Sequence, residues 1–177
     1  MADYYYLVSS LPMLDQFGKP AITLDEFLDS CEQWLTKSDL KVVSELNIVP
    51  KAPGIFPSYT AAANWNDWEI ALRNRLARVR GGKINKEPGD ELLFEVGGYQ
   101  EQEKAIMELS SVNPAEAEKL LDELRWSALE HFEGAHQFDI DKLSTYKIKL
   151  MICEKWQPRT QEQGNENFEK IIAEIYE

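Results

Sequence analysis

Cysteine is scarce in this sequence. Cys31 and Cys153 are the only two, and neither sits in a CxxC pair or at Cys/His spacing. A disulfide framework and a cysteine zinc site are therefore not expected, and two buried free thiols in a reducing cytosol is the plain reading. Histidine is equally rare, with His131 and His136 alone. Five residues along a helix turn the second about 140° from the first, so the pair does not converge on a metal. Glu133-Gly134-Ala135-His136 has the Glu-x-x-His form used in di-iron bundles, but such a site needs a second copy and none is present. No metal and no cofactor is expected.

Positive charge is also short. Nineteen Lys and Arg face 31 Asp and Glu, for a net charge of -12, and a phosphate backbone would be repelled overall, which argues against nucleic acid. A partner with a basic surface is easier to accommodate. No apolar run approaches the roughly 20 residues that span a bilayer, and Met1 to Val8 lacks the pattern of a signal peptide. The expectation is a cytoplasmic chain without direct membrane insertion, peripheral to a membrane only through partner subunits. Neither Gly81-Gly82 nor Gly97-Gly98 forms a phosphate-binding glycine loop, and no GxSxG is present. Ser9-Ser10 and Ser110-Ser111 read as caps beside helix ends. Carboxylates are too abundant for any pair to single itself out, so no catalytic residue is assigned and the chain is read as a non-enzyme.

What is present is a chain able to fold. With 177 residues, 44% of them hydrophobic and 11% aromatic, it can bury roughly 70% of its unfolded surface. Thr23-Leu24-Asp25-Glu26 is a capping-box pattern opening a helix over about 23–36, with Phe27, Leu28, Cys31, Trp34 and Leu35 on one face. A shorter helix from Ser38 to about Leu46 leads into 50–57, where three prolines forbid regular structure. Trp65, Trp68, Leu72, Leu76 and Val79 form a narrow stripe on a helix over about 65–80, stopped by Gly81-Gly82. Leu92 to Val96 reads as a strand or an extended packed loop.

Beyond it, a helix over about 100–110 precedes one capped by Asn113 with Pro114 at its first position and Gly134 at its end. Its expected inner face is Ala117, Leu120, Leu121, Leu124, Ala128 and Phe132. Asp139 opens a further helix to about Trp156, and a last one carries Phe168, Ile171, Ile172 and Ile175. The fold class expected is all-α, a helical bundle over 99–177 with a smaller N-terminal helical lobe over 1–80, the whole a single helical domain of 1–177 with possibly two lobes.

Two features carry partner-binding candidates. Arg73, Arg75, Arg78 and Arg80 make a basic cluster on the 65–80 helix. Arg73 and Arg80, seven apart, project to one side of the apolar stripe, near Ile70 and Ala77, and either pair with carboxylates of the chain itself or dock an acidic partner. In the helix after Asp139, Ile140, Leu143, Tyr146, Leu150 and Cys153 mark one apolar side, which also holds Lys147 and Glu154. Ile148, Ile152 and Trp156 mark another. Such a helix is either central, with Lys147 and Glu154 snorkelling or meeting complementary charges, or turned in part to a partner. Trp126, opposite the Leu120 to Leu124 stripe, raises the same alternative.

The opening Asp3 to Pro12, the segment Asp67 to Leu76, and Phe138-Asp139-Ile140-Asp141 through Tyr146 to Glu154-Lys155-Trp156 together resemble an uncharacterised bacterial family encoded among V-type ATPase genes. The last segment is also similar to part of the C (d) subunit of archaeal and bacterial V-type ATPases, the helical cap that joins the central stalk to the membrane rotor ring. The resemblance implies a non-catalytic helical subunit or accessory factor in proton or ion transport, with central-stalk and rotor-ring subunits as partners. The alternative is a free-standing cytosolic adaptor or regulator of another complex.

Overall fold

Among the described residues, five helices of this chain begin where a side-chain oxygen takes up backbone N–H groups that the first turn leaves free. The computed structural model describes residues 4–58, 60–86, 99–109, 112–134 and 136–157, together with 89, 92, 94, 96, 97 and 172. Among these, all regular structure is helical. Helix α1 spans Tyr5–Ser10, α2 Leu24–Trp34, α3 Lys37–Glu45, α4 Ala61–Lys83, α5 Gln100–Leu109, α6 Pro114–Glu133 and α7 Ile140–Trp156.

The capping box at α2 is complete, with the Thr23 hydroxyl accepting from the Glu26 N–H and the Glu26 carboxylate accepting from the Thr23 N–H. Thr36 caps α3 and Thr60 caps α4. Asn113 accepts from the Glu116 N–H ahead of Pro114, and Gly134, at φ 48°, ends α6.

Several expectations need correction. No local signal announces α1, because Tyr4 at its start offers no side-chain cap. Four residues earlier than expected, α4 begins at Ala61, and Gly81-Gly82 does not stop it. Gly81 is buried inside the last turn, and the chain leaves the helix only at Ile84 and Asn85, the latter at φ 52°. Of the expected strand, Leu92, Phe94 and Val96 are described and none is in a strand, while 93 and 95 lie outside the described residues. The expected last helix also lies outside them, apart from residue 172. So do Ser110 and Ser111.

Helix α7 is the centre of the fold and packs against α2, α3, α4 and α6. One side closes a cluster with Leu7, Phe27, Cys31 and Val43 through its Leu143, Tyr146 and Leu150. Its other side, with Ile148 and Ile152, joins a larger cluster with Trp65, Trp68 and Leu72 of α4, Ile106 of α5, and Leu121, Trp126 and Leu129 of α6. The first three helices thus gather on one side of α7, whereas α4, expected in the lobe of residues 1–80, packs with α5, α6 and α7.

Lys142, Lys149 and Lys155 of α7 pair with carboxylates of α6, whereas Asp141, Lys147 and Glu154 hold the ends of other helices. Asp141 Oδ1 accepts from the Ala61 N–H at 2.7 Å, at the start of α4. Glu154 Oε1 accepts from the Leu24 N–H at 2.8 Å, at the start of α2. The Lys147 ammonium, 3% exposed, donates to the carbonyls of Val43 at 2.7 Å, Ser44 at 3.1 Å and Leu46 at 2.7 Å, at the end of α3. Negative side chains thus sit at helix N-termini and a positive one at a C-terminus, each matched to the helix dipole. Burial lowers the Lys147 pKa to about 8, with Cys31 opposing the shift and Lys51 adding to it.

Candidate functional site

The expected stripe of α6 packs against the core through Leu121, Leu124, Ala128 and Phe132, but the most buried face is turned partly away from it. That face is Leu121, Asp122, Arg125, Trp126 and Leu129, while Leu120, Leu124, Ala128 and Phe132 are only partly buried. The reason is a charged network inside the protein, which periodicity of apolar residues cannot register. Glu69 of α4, fully buried, accepts from Arg125 Nη2 at 2.8 Å and Nε at 3.0 Å and from Arg73 Nε at 2.8 Å. Arg125 Nη1 donates to Asp122 at 2.8 Å. The other Asp122 oxygen accepts from Lys155 and from the Trp156 indole, both at 2.8 Å, and Lys155 also pairs with Glu118. Burial works against the charge of Arg125, but Glu69 and Asp122 outweigh it and raise its pKa. The network links α4, α6 and α7, and three carboxylates balance three cations within it.

The four candidate partner-binding residues fall into two groups. Arg73 is turned inward to Glu69, and Arg80 is exposed near the end of α4. Both line a groove of about 400 Å³ that also includes Leu76, Leu121 and Arg125. Trp126 lies in the core, donates to Glu130 at 3.0 Å, and carries the Lys149 ammonium 5.4 Å above its ring. Trp156 is half-buried, with its indole on Asp122 and its ring edge-on to Phe17 at 5.4 Å. The structure does not bring the tryptophans to the arginine groove.

An exposed aromatic surface lies elsewhere. Phe138, Tyr5, Tyr6 and Trp34 form a continuous chain of ring contacts, with centroids 4.8, 5.6 and 6.4 Å apart. Tyr5 is 52% exposed, Tyr6 75% and Trp34 57%. The chain crosses three elements: α1, the end of α2 and the turn before α7. Beneath it, Tyr4 donates its N–H to the Phe138 carbonyl at 2.6 Å and its hydroxyl to Asp39. One signal is present in the sequence, since helical Tyr5 and Tyr6 cannot both turn inward with Tyr4 and Leu7, but it requires knowing that α1 is a helix.

Of the histidines, His131 is exposed and its ring lies edge-on to Phe132. His136 stands instead against the start of α7, with Nδ1 2.5 Å from Asp139 Oδ2 and 3.6 Å from Asp141 Oδ2. The hydrogen bond to Asp139 is the main cause raising the His136 pKa. Burial is the main cause raising that of Asp141. Both cysteines are buried free thiols, and burial pushes Cys31 up to about 12 and Cys153 to about 11, which keeps them as unreactive thiols.

No helix among the described residues is long and apolar enough to cross a membrane. Among the described residues the regular structure is all helical, built on a central helix with an exposed aromatic ridge. Residues 90–177 match a family described as "Protein of unknown function (DUF2764)". No curated protein and no solved structure matches the chain.

Proposed function

We propose that this protein acts by binding other proteins, as a non-catalytic component or accessory factor of a V-type ATPase, similar to its C (d) subunit and linking the central stalk to the membrane rotor. The observation that carries the reading is the exposed aromatic ridge of Phe138, Tyr5, Tyr6 and Trp34. Large aromatic side chains left in water are costly, and their rigid, amphipathic surfaces are what protein interfaces use as anchors. Tyr5, Tyr6 and Phe138 belong to two of the segments through which the chain resembles the V-type ATPase-associated family. The titratable groups of the buried network, in contrast, are committed to one another and hold helices together, which favours contact over chemistry.

The test is recovery of partners from the native host at natural abundance. A tagged chain isolated from mildly solubilised membranes is expected to carry central-stalk and rotor-ring subunits in stoichiometric amount. The double variant Tyr6→Ala/Trp34→Ala is expected to fold as the parent does and to lose them. Consistent absence of those subunits from a folded bait would sink the V-type ATPase reading and leave an adaptor of another complex. Retention of them by the double variant would remove the ridge from the interface.

A further inference from the structure

Three side-chain donors meet where α6 turns into α7. His136 Nδ1, a carboxylate oxygen of Asp139 and one of Asp141 all lie within 4.8 Å of one another. Each carboxylate is held by its other oxygen. Asp139 Oδ1 accepts from the N–H groups of Asp141 at 3.1 Å and Lys142 at 3.2 Å, as the cap of α7. Asp141 Oδ1 accepts from the Ala61 N–H at 2.7 Å, across the fold at the start of α4. The Asp141 side chain is 3% exposed, yet its Oδ2 accepts no hydrogen bond from the described residues and points toward His136 Nδ1 at 3.6 Å. That oxygen is aimed at the place where the other two donors converge.

We propose that His136, Asp139 and Asp141 form a binding site for one divalent transition-metal ion, with Zn²⁺ as the best match. One imidazole nitrogen and two carboxylate oxygens are a borderline donor set that suits Zn²⁺ better than the all-oxygen shell Ca²⁺ or Mg²⁺ prefers. Tetrahedral zinc places its donors about 3.3 Å apart, so separations of 2.5 and 3.6 Å from Nδ1 need only a small shift of the imidazole. That ring is the most exposed of the three groups, at 38%. The backbone N–H groups of Asp141, Lys142 and Ala61 supply the outer shell that fixes the two carboxylates. Water completes the coordination on the exposed side. The ion replaces the direct Asp139–His136 hydrogen bond and takes Asp141 Oδ2 as a ligand, tying the α6–α7 turn to the first turn of α4. The site is independent of the partner-binding reading.

Isothermal titration of the chelator-stripped full chain with ZnCl₂ tests this, alongside the variants His136→Asn, Asp139→Asn and His131→Asn. Asparagine caps a helix as well as aspartate does, so Asp139→Asn removes a charged ligand and keeps the start of α7. Circular dichroism of each variant confirms that the helices are retained. One ion per chain is expected, with affinity lowered at least about tenfold by His136→Asn and by Asp139→Asn and unchanged by His131→Asn. Bound Zn²⁺ is also expected to raise the unfolding temperature of the parent and not that of His136→Asn. No saturable binding up to about 100 µM Zn²⁺, or binding that His136→Asn and Asp139→Asn leave unmoved, overturns the proposal.

Discussion

Replacing Lys147 by Met removes an ammonium but keeps a flexible chain of similar volume in the same channel between α3 and α7. What is lost is the donor to the carbonyls of Val43, Ser44 and Leu46. Each buried acceptor left without a partner costs about 1–3 kcal/mol, and the Ser44 carbonyl, being nearer the surface, can turn to water. The sum is a loss of about 3 kcal/mol. For a chain of this size that corresponds to an unfolding temperature lower by about 6–12 °C. Urea unfolding at pH 7, followed by helical circular dichroism, measures it directly. A loss below about 0.5 kcal/mol would refute the assignment of Lys147 as the tertiary cap of α3.

The same substitution carries a pH signature. Lys147 has a folded-state pKa of about 8 against an ordinary 10.5, so between those values the unfolded chain binds the extra proton. Stability therefore rises with pH across that window, by no more than about 1.4 kcal/mol per unit. Tyr146, held up near 12 by burial, shifts the stability of parent and variant alike at high pH, and Cys31, whose pKa Lys147 lowers, differs between them only near its own folded-state pKa of about 12. The quantity to compare is thus the stability of the parent minus that of Lys147→Met, which is expected to be flat below about 8 and to grow between about 8 and 10.5.

Other outcomes follow from the charged interior. Arg125→Met removes the buried cation shared by Glu69 and Asp122, leaving Glu69 only Arg73 and Asp122 only Lys155 and Trp156, and is expected to destabilise by about 3 kcal/mol, with partial recovery when Glu69→Gln is added; urea titrations of the two single variants and the double one give the coupling. Ser144 is buried and its hydroxyl makes no hydrogen bond among the described residues. Ser144→Ala is therefore expected to be neutral or stabilising by up to about 1 kcal/mol, read as an unchanged or higher unfolding temperature.

What can be read from residues alone is whatever announces itself locally. Thr23 with Glu26, Asn113 with Pro114, and Asp139 each mark a helix start, and each is one in the structure. The two apolar sides of α7 foretell a central helix, and both are covered. Tertiary overrides are not legible. Apolar periodicity assigns charged residues to solvent, so it places the inner face of α6 on Leu120 and Leu124 and cannot anticipate that Asp122 and Arg125 turn inward to meet Glu69, 56 residues from Arg125. Gly81 and Gly82 look like a stop because glycine weakens a helix, yet tertiary packing carries α4 through them. The His136, Asp139 and Asp141 grouping escapes because it spans a turn and a helix start. No fixed helical spacing describes it, and the orientation of Asp141 is set by Ala61, 80 residues away.

The three caps that α7 supplies also impose an order in time. Helices α2, α3 and α4 leave the ribosome well before residues 140–156, but the N–H groups of Leu24 and Ala61 and the carbonyls ending α3 find their partners only on α7. Until that helix emerges, the first half of the chain has helix ends without acceptors and apolar faces without a cover. Folding of the N-terminal half is therefore expected to wait until α7 has emerged.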